Sequence, residues 1–157
     1  MRIYGQLNVK QKRTAKLEHE IFIANSDEDI NLCFPAFKEL RPKLNFEEFL
    51  AQIRRQESQS YKILALRENG IVKSAAGFRF CEFLAWGKIL YIDDLTTLPN
   101  ARGNGFADSL LNWLIEYAKS SSCNAVHLDT GYARHAAHRV YLAKGFQLNC
   151  HHMALEF

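Results

Sequence analysis

Two glycines and an arginine stand where an apolar strand gives way to an amphipathic helix. The six residues read Arg102-Gly103-Asn104-Gly105-Phe106-Ala107. Ile89 to Leu98 precede them as the strand. Ala107, Leu110, Leu111, Leu114 and Ala118 follow at the spacing of one helix face. The first N–H groups of a helix lack intrahelical partners, and its dipole makes that end partly positive. Glycine lets the backbone approach a ligand closely. This turn, from Gly103 to Asp108, therefore predicts a cradle for phosphate. Its spacing is not the Gly-x-Gly-x-x-Gly of dinucleotide sites, and no Gly-Lys-Ser/Thr follows to make a nucleotide P-loop.

Other groups able to move protons lie on either side of the turn. Asp93 and Asp94 sit in the preceding strand. An alkyl ammonium loses its proton near pH 10, and a carboxylate can accept it. Strict alternation would put the two acids on opposite faces, so only one faces a cleft. Asp129 ends the next strand and either lines a pocket or caps the Asp129-Thr130-Gly131 turn. Tyr141 lies on a later helix with His135 and His138, flanked by Arg134 and Arg139.

The elements that must position these groups can be read along the chain. Glu20 to Ala24 form a first strand. Ser26-x-x-Asp29 opens a helix, Pro35 inside it predicts a kink or break, and Pro42 ends it. Asn45 caps a second helix running to Glu57. Tyr61–Arg67 and Ile71–Phe83 flank Glu68-Asn69-Gly70 as a hairpin. The motif strand and its helix follow, then a strand over 124–129, a helix over 134–144 stopped by Gly145, and a closing pair of strands over 146–157. The fold class is α/β: a mixed, splayed sheet of about six or seven strands with helices on both faces. Ligands in such sheets sit beyond strand carboxyl ends, where neighbours diverge.

Composition narrows the function further. At 157 residues the chain is read as a single domain, with residues 1–19 as a leader. Nothing in it is long and apolar enough to span a bilayer, and no secretory signal is seen, so a cytoplasmic protein is expected. The net charge is +3; Lys10, Lys12, Arg13 and Lys16 cluster at the start, without the dense basic stripe of a nucleic-acid binder. Cys33, Cys81, Cys123 and Cys150 lack metal-ligand spacing. His151-His152 beside Cys150 would point to opposite faces of a strand, so no metal is expected.

Arg102-x-x-Gly105-x-Ala107 resembles the acyl-CoA pyrophosphate loop of the GNAT superfamily of N-acetyltransferases, whose pattern is Gln/Arg-x-x-Gly-x-Gly/Ala. The segment from Arg134 to Phe146 resembles that family's last motif, commonly Asn-x-x-Ala-x-x-x-Tyr-x-x-x-Gly-Phe. Ala137, Tyr141, Gly145 and Phe146 match it, and Arg134 stands where Asn is common. Leu40-Arg41-Pro42, Phe49-Leu50 and Ala76-Gly77-Phe78 extend the resemblance over most of the chain from about Glu20. It implies a splayed sheet with coenzyme A wedged into the gap. Pyrophosphate would lie on Arg102 and the backbone of Gly103, Asn104, Gly105, Phe106, Ala107 and Asp108. The pantetheine arm would run along Leu95, Thr96 and Thr97, with Arg134 nearby. Tyr141 would be the acid that protonates the leaving thiolate. Asp93-Asp94-Leu95-Thr96-Thr97 resembles the Glu-Asp step of polyamine acetyltransferases, which implies Asp93 as the base.

The resulting expectation is an acetyl-CoA-dependent N-acetyltransferase acting on a primary amine, with Asp93, Asp94 and Asp129 favouring a cationic acceptor. Phe34, Phe37 and Phe46 are either pocket residues or core. A silent acyl-CoA-binding module is the rival from another class, and an acetyltransferase of aminoacyl-tRNA is a third reading that the modest charge disfavours. The resemblance is also compatible with a homodimer through the closing strands.

Overall fold

The computed structural model describes residues 19–157. The basic cluster Lys10, Lys12, Arg13 and Lys16 lies outside the described residues. Among the described residues five strands, not six or seven, form one sheet in the order β1-β2-β3-β4-β5. They are β1 (His19–Ile23), β2 (Tyr61–Glu68), β3 (Ile71–Phe83), β4 (Gly87–Thr97) and β5 (Ala125–Leu128). The first four run antiparallel in sequence, and β5 lies parallel to β4 after a helical crossover. The sheet is mixed, as its sequence predicts.

Four helices cover its two faces: α1 (Asp27–Leu40), α2 (Phe46–Glu57), α3 (Phe106–Ser120) and α4 (His135–Ala143). Helices α1 and α2 bury Ile30, Cys33, Phe37, Phe49 and Ile53 against Tyr61, Ile63 and Ala75. Helix α3 buries Leu110, Leu111 and Leu114 completely, against Leu64, Phe78 and Leu90 on the other face. Each such leucine contributes about 1.5–3 kcal/mol, so the helix that carries the phosphate turn is firmly seated.

Local chemistry accounts for the boundaries. The Ser26 hydroxyl accepts from the Asp29 N–H (3.1 Å) and donates to its carboxylate (2.9 Å). The Asn45 side chain accepts from the Glu47 N–H (3.0 Å). Asn69 and Gly70 both take positive φ, 50° and 77°, the geometry of a tight hairpin turn. Gly145, at φ 90°, stops α4 while the Phe146 N–H reaches back to the Tyr141 carbonyl at 3.1 Å.

Two expectations are corrected. Helix α1 runs through Pro35 without a break. Proline removes one ladder bond, and the buried contacts of Cys33, Ala36 and Phe37 on either side of it outweigh that loss. The closing pair of strands over 146–157 is not formed: among the described residues no strand follows β5. No residue after Phe146 donates a backbone hydrogen bond to another backbone carbonyl among the described residues, so no ladder ties this segment to β5. Leu148, Met153, Leu155 and Phe157 are all exposed.

Candidate active site

Strands β4 and β5 pair only from Ile89–Ala125 to Ile92–Leu128. Beyond Ile92 the β4 edge has no partner on that side among the described residues, and a gap opens. The phosphate turn lies past the far end of β4, and Asp129 stands where β5 stops.

The turn has the geometry its sequence implies. Gly103 and Gly105 take φ values of 80° and 76°. A Cβ added at either would meet no atom within 4 Å, so the space over the turn is open. The first α3 bond runs from the Ser109 N–H to the Gly105 carbonyl at 2.9 Å. None of the N–H groups of Gly103, Asn104, Gly105, Phe106, Ala107 or Asp108 donates within the described residues. Six consecutive amides at a helix N-terminus are thus free for an anion. The Asn104 side chain braces the turn by donating to the Ala101 carbonyl at 3.1 Å. Arg102 is held to Glu39 (2.8 Å) and to the Thr97 carbonyl (3.3 Å). The Asp108 carboxylate, of the wrong sign beside phosphate, is paired with Lys144 of the segment after α4 at 2.8 Å.

Leu95 packs among the α3-side apolar residues. Thr96 is buried, its hydroxyl donating to the Ala36 carbonyl of α1 at 3.1 Å. The Thr97 hydroxyl lies 2.9 Å from that of Ser74. These threonine side chains are tied into the fold, which leaves the β4 backbone edge to face the gap.

Asp93 and Asp94 depart from strict alternation. Gly77 pairs with Asp94 and Phe78 with Ile92, so Asp93 is the extra residue of a β-bulge. The bulge turns both carboxylates to the α1–α2 face. There the Arg79 Nε donates to both Asp93 oxygens at 3.0 Å, and its Nη2 makes a further contact. Arg41, at the end of α1, donates to Asp94 from Nε (2.8 Å) and Nη2 (2.7 Å). Tyr61 lies beneath, with Arg79 over its ring. Its hydroxyl fills the place of a residue-77 side chain: a Cβ there would stand 1.9 Å from Oη. Burial, with the nearby Asp94 and Asp93 charges, pushes the Tyr61 phenol well up. Burial also raises the Asp93 carboxyl, against the opposing pull of Arg79.

The Arg79–Asp93 pair sets a stability expectation. Each side chain is less than a fifth exposed. Asp93→Ala strands a guanidinium and should cost about 2–3 kcal/mol, whereas replacing both residues by leucine should recover most of it. Urea titration of the three variants reads the difference, and equal stability of Asp93→Ala and wild type would refute it.

Tyr141 faces inward from α4, packed on Phe146 with ring centres 5.8 Å apart. Its hydroxyl makes no hydrogen bond within the described residues. Burial raises its phenol, with Arg134 two turns earlier opposing. Arg134 is the N-terminal flanking residue of α4 and is exposed. Phe37 proves to be core, Phe34 is half-buried between Phe46 and Phe49, and Phe46 is more than half exposed.

Arg79 and Tyr61 enter this site without a sequence signature of their own, because they reach it from neighbouring strands, and Arg41 reaches it from the end of α1. The bulge did have a signal: a glycine inside a strand, opposite two consecutive acids.

The sequence model of the Acetyltransferase (GNAT) family matches residues 26–146. An uncharacterised N-acetyltransferase of Bacillus subtilis, YhdJ, is 31% identical over 117 residues, covering 73% of this chain and 82% of its own. Among solved structures, the aminoglycoside N-acetyltransferase AAC(6')-Iy in complex with CoA superposes with a TM-score of 0.78 at 14% identity, over 92% of this chain and 97% of that one. A predicted acetyltransferase of Clostridium acetobutylicum, solved with acetyl-CoA, gives 0.71 at 21% identity, over 88% and 96%. The chain belongs to the GNAT family of acetyltransferases. The structural likeness, at these identities, speaks for a shared fold.

Proposed function

We propose that this protein transfers acetyl from acetyl-CoA to a primary amine by direct attack. The observation that carries this reading is the row of six free amides at the start of α3, beside an open glycine turn and at the edge of the β4–β5 gap. The amides of 103–108 and Arg102 hold pyrophosphate; the β4 edge along Leu95, Thr96 and Thr97 takes the pantetheine arm, with Arg134 at the other wall. Tyr141 supplies the proton to the departing sulfur.

The acceptor enters from the α1–α2 face. Asp93 acts there as a fixed charge, because Arg79 occupies both of its oxygens and Arg41 holds Asp94. Asp129, with no arginine on it, keeps a net attraction for a cation. A diamine, a lysyl peptide and an aminoglycoside should therefore turn over faster than neutral or acidic amines, measured as CoA thiol release. Reaction with acidic or neutral acceptors alone would refute the cationic preference. Acetyl-CoA binding without turnover of any amine would leave the silent binding module as the reading.

A further inference from the structure

If Asp93 is committed to Arg79, some other group must take the proton of the incoming ammonium. A second cluster stands across the gap. Asp129 follows the last residue of β5, next in line with Asp93 after the Ile92–Leu128 pair. Its Oδ2 accepts from the Tyr91 hydroxyl at 2.7 Å. The same oxygen lies 2.9 Å from Nδ1 of His152. Tyr91 pairs across the strands with Arg79, so the cluster opens on the α1–α2 face, the face of the two bulged acids.

We propose that His152 is the general base for the acceptor amine, held by Asp129 and Tyr91. This rests on the acetyltransferase reading above and adds a residue to it. The Asp129 carboxylate beside Nδ1 favours a hydrogen on that nitrogen, which leaves Nε2 as the nitrogen for the acceptor. Tyr91 donates to the same carboxylate oxygen and holds it in place. His152 is exposed and so is open to solvent. The neighbouring His151 Nδ1 lies 3.4 Å from the Tyr132 hydroxyl, a weaker second tie on the same segment. The charged and titratable groups around His152 are thus Asp129 and Tyr91, with His151 beside it and Asp93 behind Tyr91. His152 lies past residue 146, where the family-model match ends.

The proton and electron balance closes. The ammonium gives one proton to His152 Nε2, and the neutral nitrogen bonds to the acetyl carbon. The carbon–sulfur bond breaks with its electron pair on sulfur, which takes the Tyr141 proton. The nitrogen's surplus proton returns to the Tyr141 oxygen, and His152 releases its proton to water. Amide and free thiol remain, with one proton in solution.

The test is a pH–rate profile of kcat/KM, with spermidine and a lysyl peptide as acceptors, for wild type, His152→Asn, Asp129→Asn and Tyr91→Phe. Asparagine keeps a donor for Asp129 and removes the base. His152→Asn should lose the acidic limb and fall about a hundredfold at pH 7. Added imidazole should restore part of the rate, and acetyl-CoA stabilisation should be unchanged. Asp129→Asn and Tyr91→Phe, which act through His152, should shift the limb without moving the KM for acetyl-CoA. A wild-type rate and limb in His152→Asn would overturn the assignment while leaving the acetyltransferase reading intact. No turnover of either amine by wild type would remove both.

Discussion

Gly105→Glu should abolish the response to acetyl-CoA. Wild type at one hundred times the dissociation constant should gain about 2.7 kcal/mol, a rise in Tm of roughly 5–10 °C for a domain of this size. The variant should show no rise, and turnover should fall at least a hundredfold, about 2.7 kcal/mol of lost binding or more. Two effects add. A carboxylate placed at the head of α3 occupies the anion site and repels pyrophosphate. A side chain at φ 76° also strains the turn, at about 1–2 kcal/mol. Gly105→Asn separates them, because asparagine tolerates that backbone without adding charge. It should keep most of the acetyl-CoA response. A full thermal rise in a folded Gly105→Glu would place the anion elsewhere.

Tyr141→Phe should lower kcat tenfold or more, with little change in the KM for acetyl-CoA. The phenyl ring keeps the packing on Phe146 and loses only the hydroxyl, which has no other partner in the described structure. The sign of the pH effect follows from burial. A phenol whose ionisation is raised stays protonated past the ordinary value of about 10. An acid must be protonated to act, so activity persists above that pH and falls only as the raised value is crossed. The alkaline limb of kcat should therefore lie higher than for a free phenol, and it should vanish in Tyr141→Phe. An unchanged kcat would take Tyr141 out of the reaction.

The turn that carries Gly105 was legible in the sequence for local reasons. The free amides depend on a strand–turn–helix order and two glycines, all within a few residues. Tyr141 stood out through the resemblance of the segment from Arg134 to Phe146 to the family's last motif. The hairpin was equally legible, since Asn69-Gly70 encodes its own turn. What escaped was set by distant partners. Alternation put Asp93 and Asp94 on opposite faces, and a bulge answered by Gly77 on another strand put them on one. Arg79 and Arg41 reach these acids across 14 and 53 residues of chain. His152 was read with His151 as two faces of a strand that does not form, so its partner in Asp129 was hidden as well. Pro35 misled in the other direction, because tertiary packing kept a helix that local chemistry would have ended.

The bulge also bears on how this domain can change over time. One supernumerary position in β4 sets the phase of everything after it. Without it, Leu95 would turn toward α1 and Thr96 toward α3, undoing the Thr96–Ala36 tie and the apolar seat of Leu95 in a single step. Lineages can therefore retune the acceptor side by exchanging residues on it, but not by gaining or losing one inside this strand. Length variation has to accumulate in the turns and the tail, and the tail is where His152 sits.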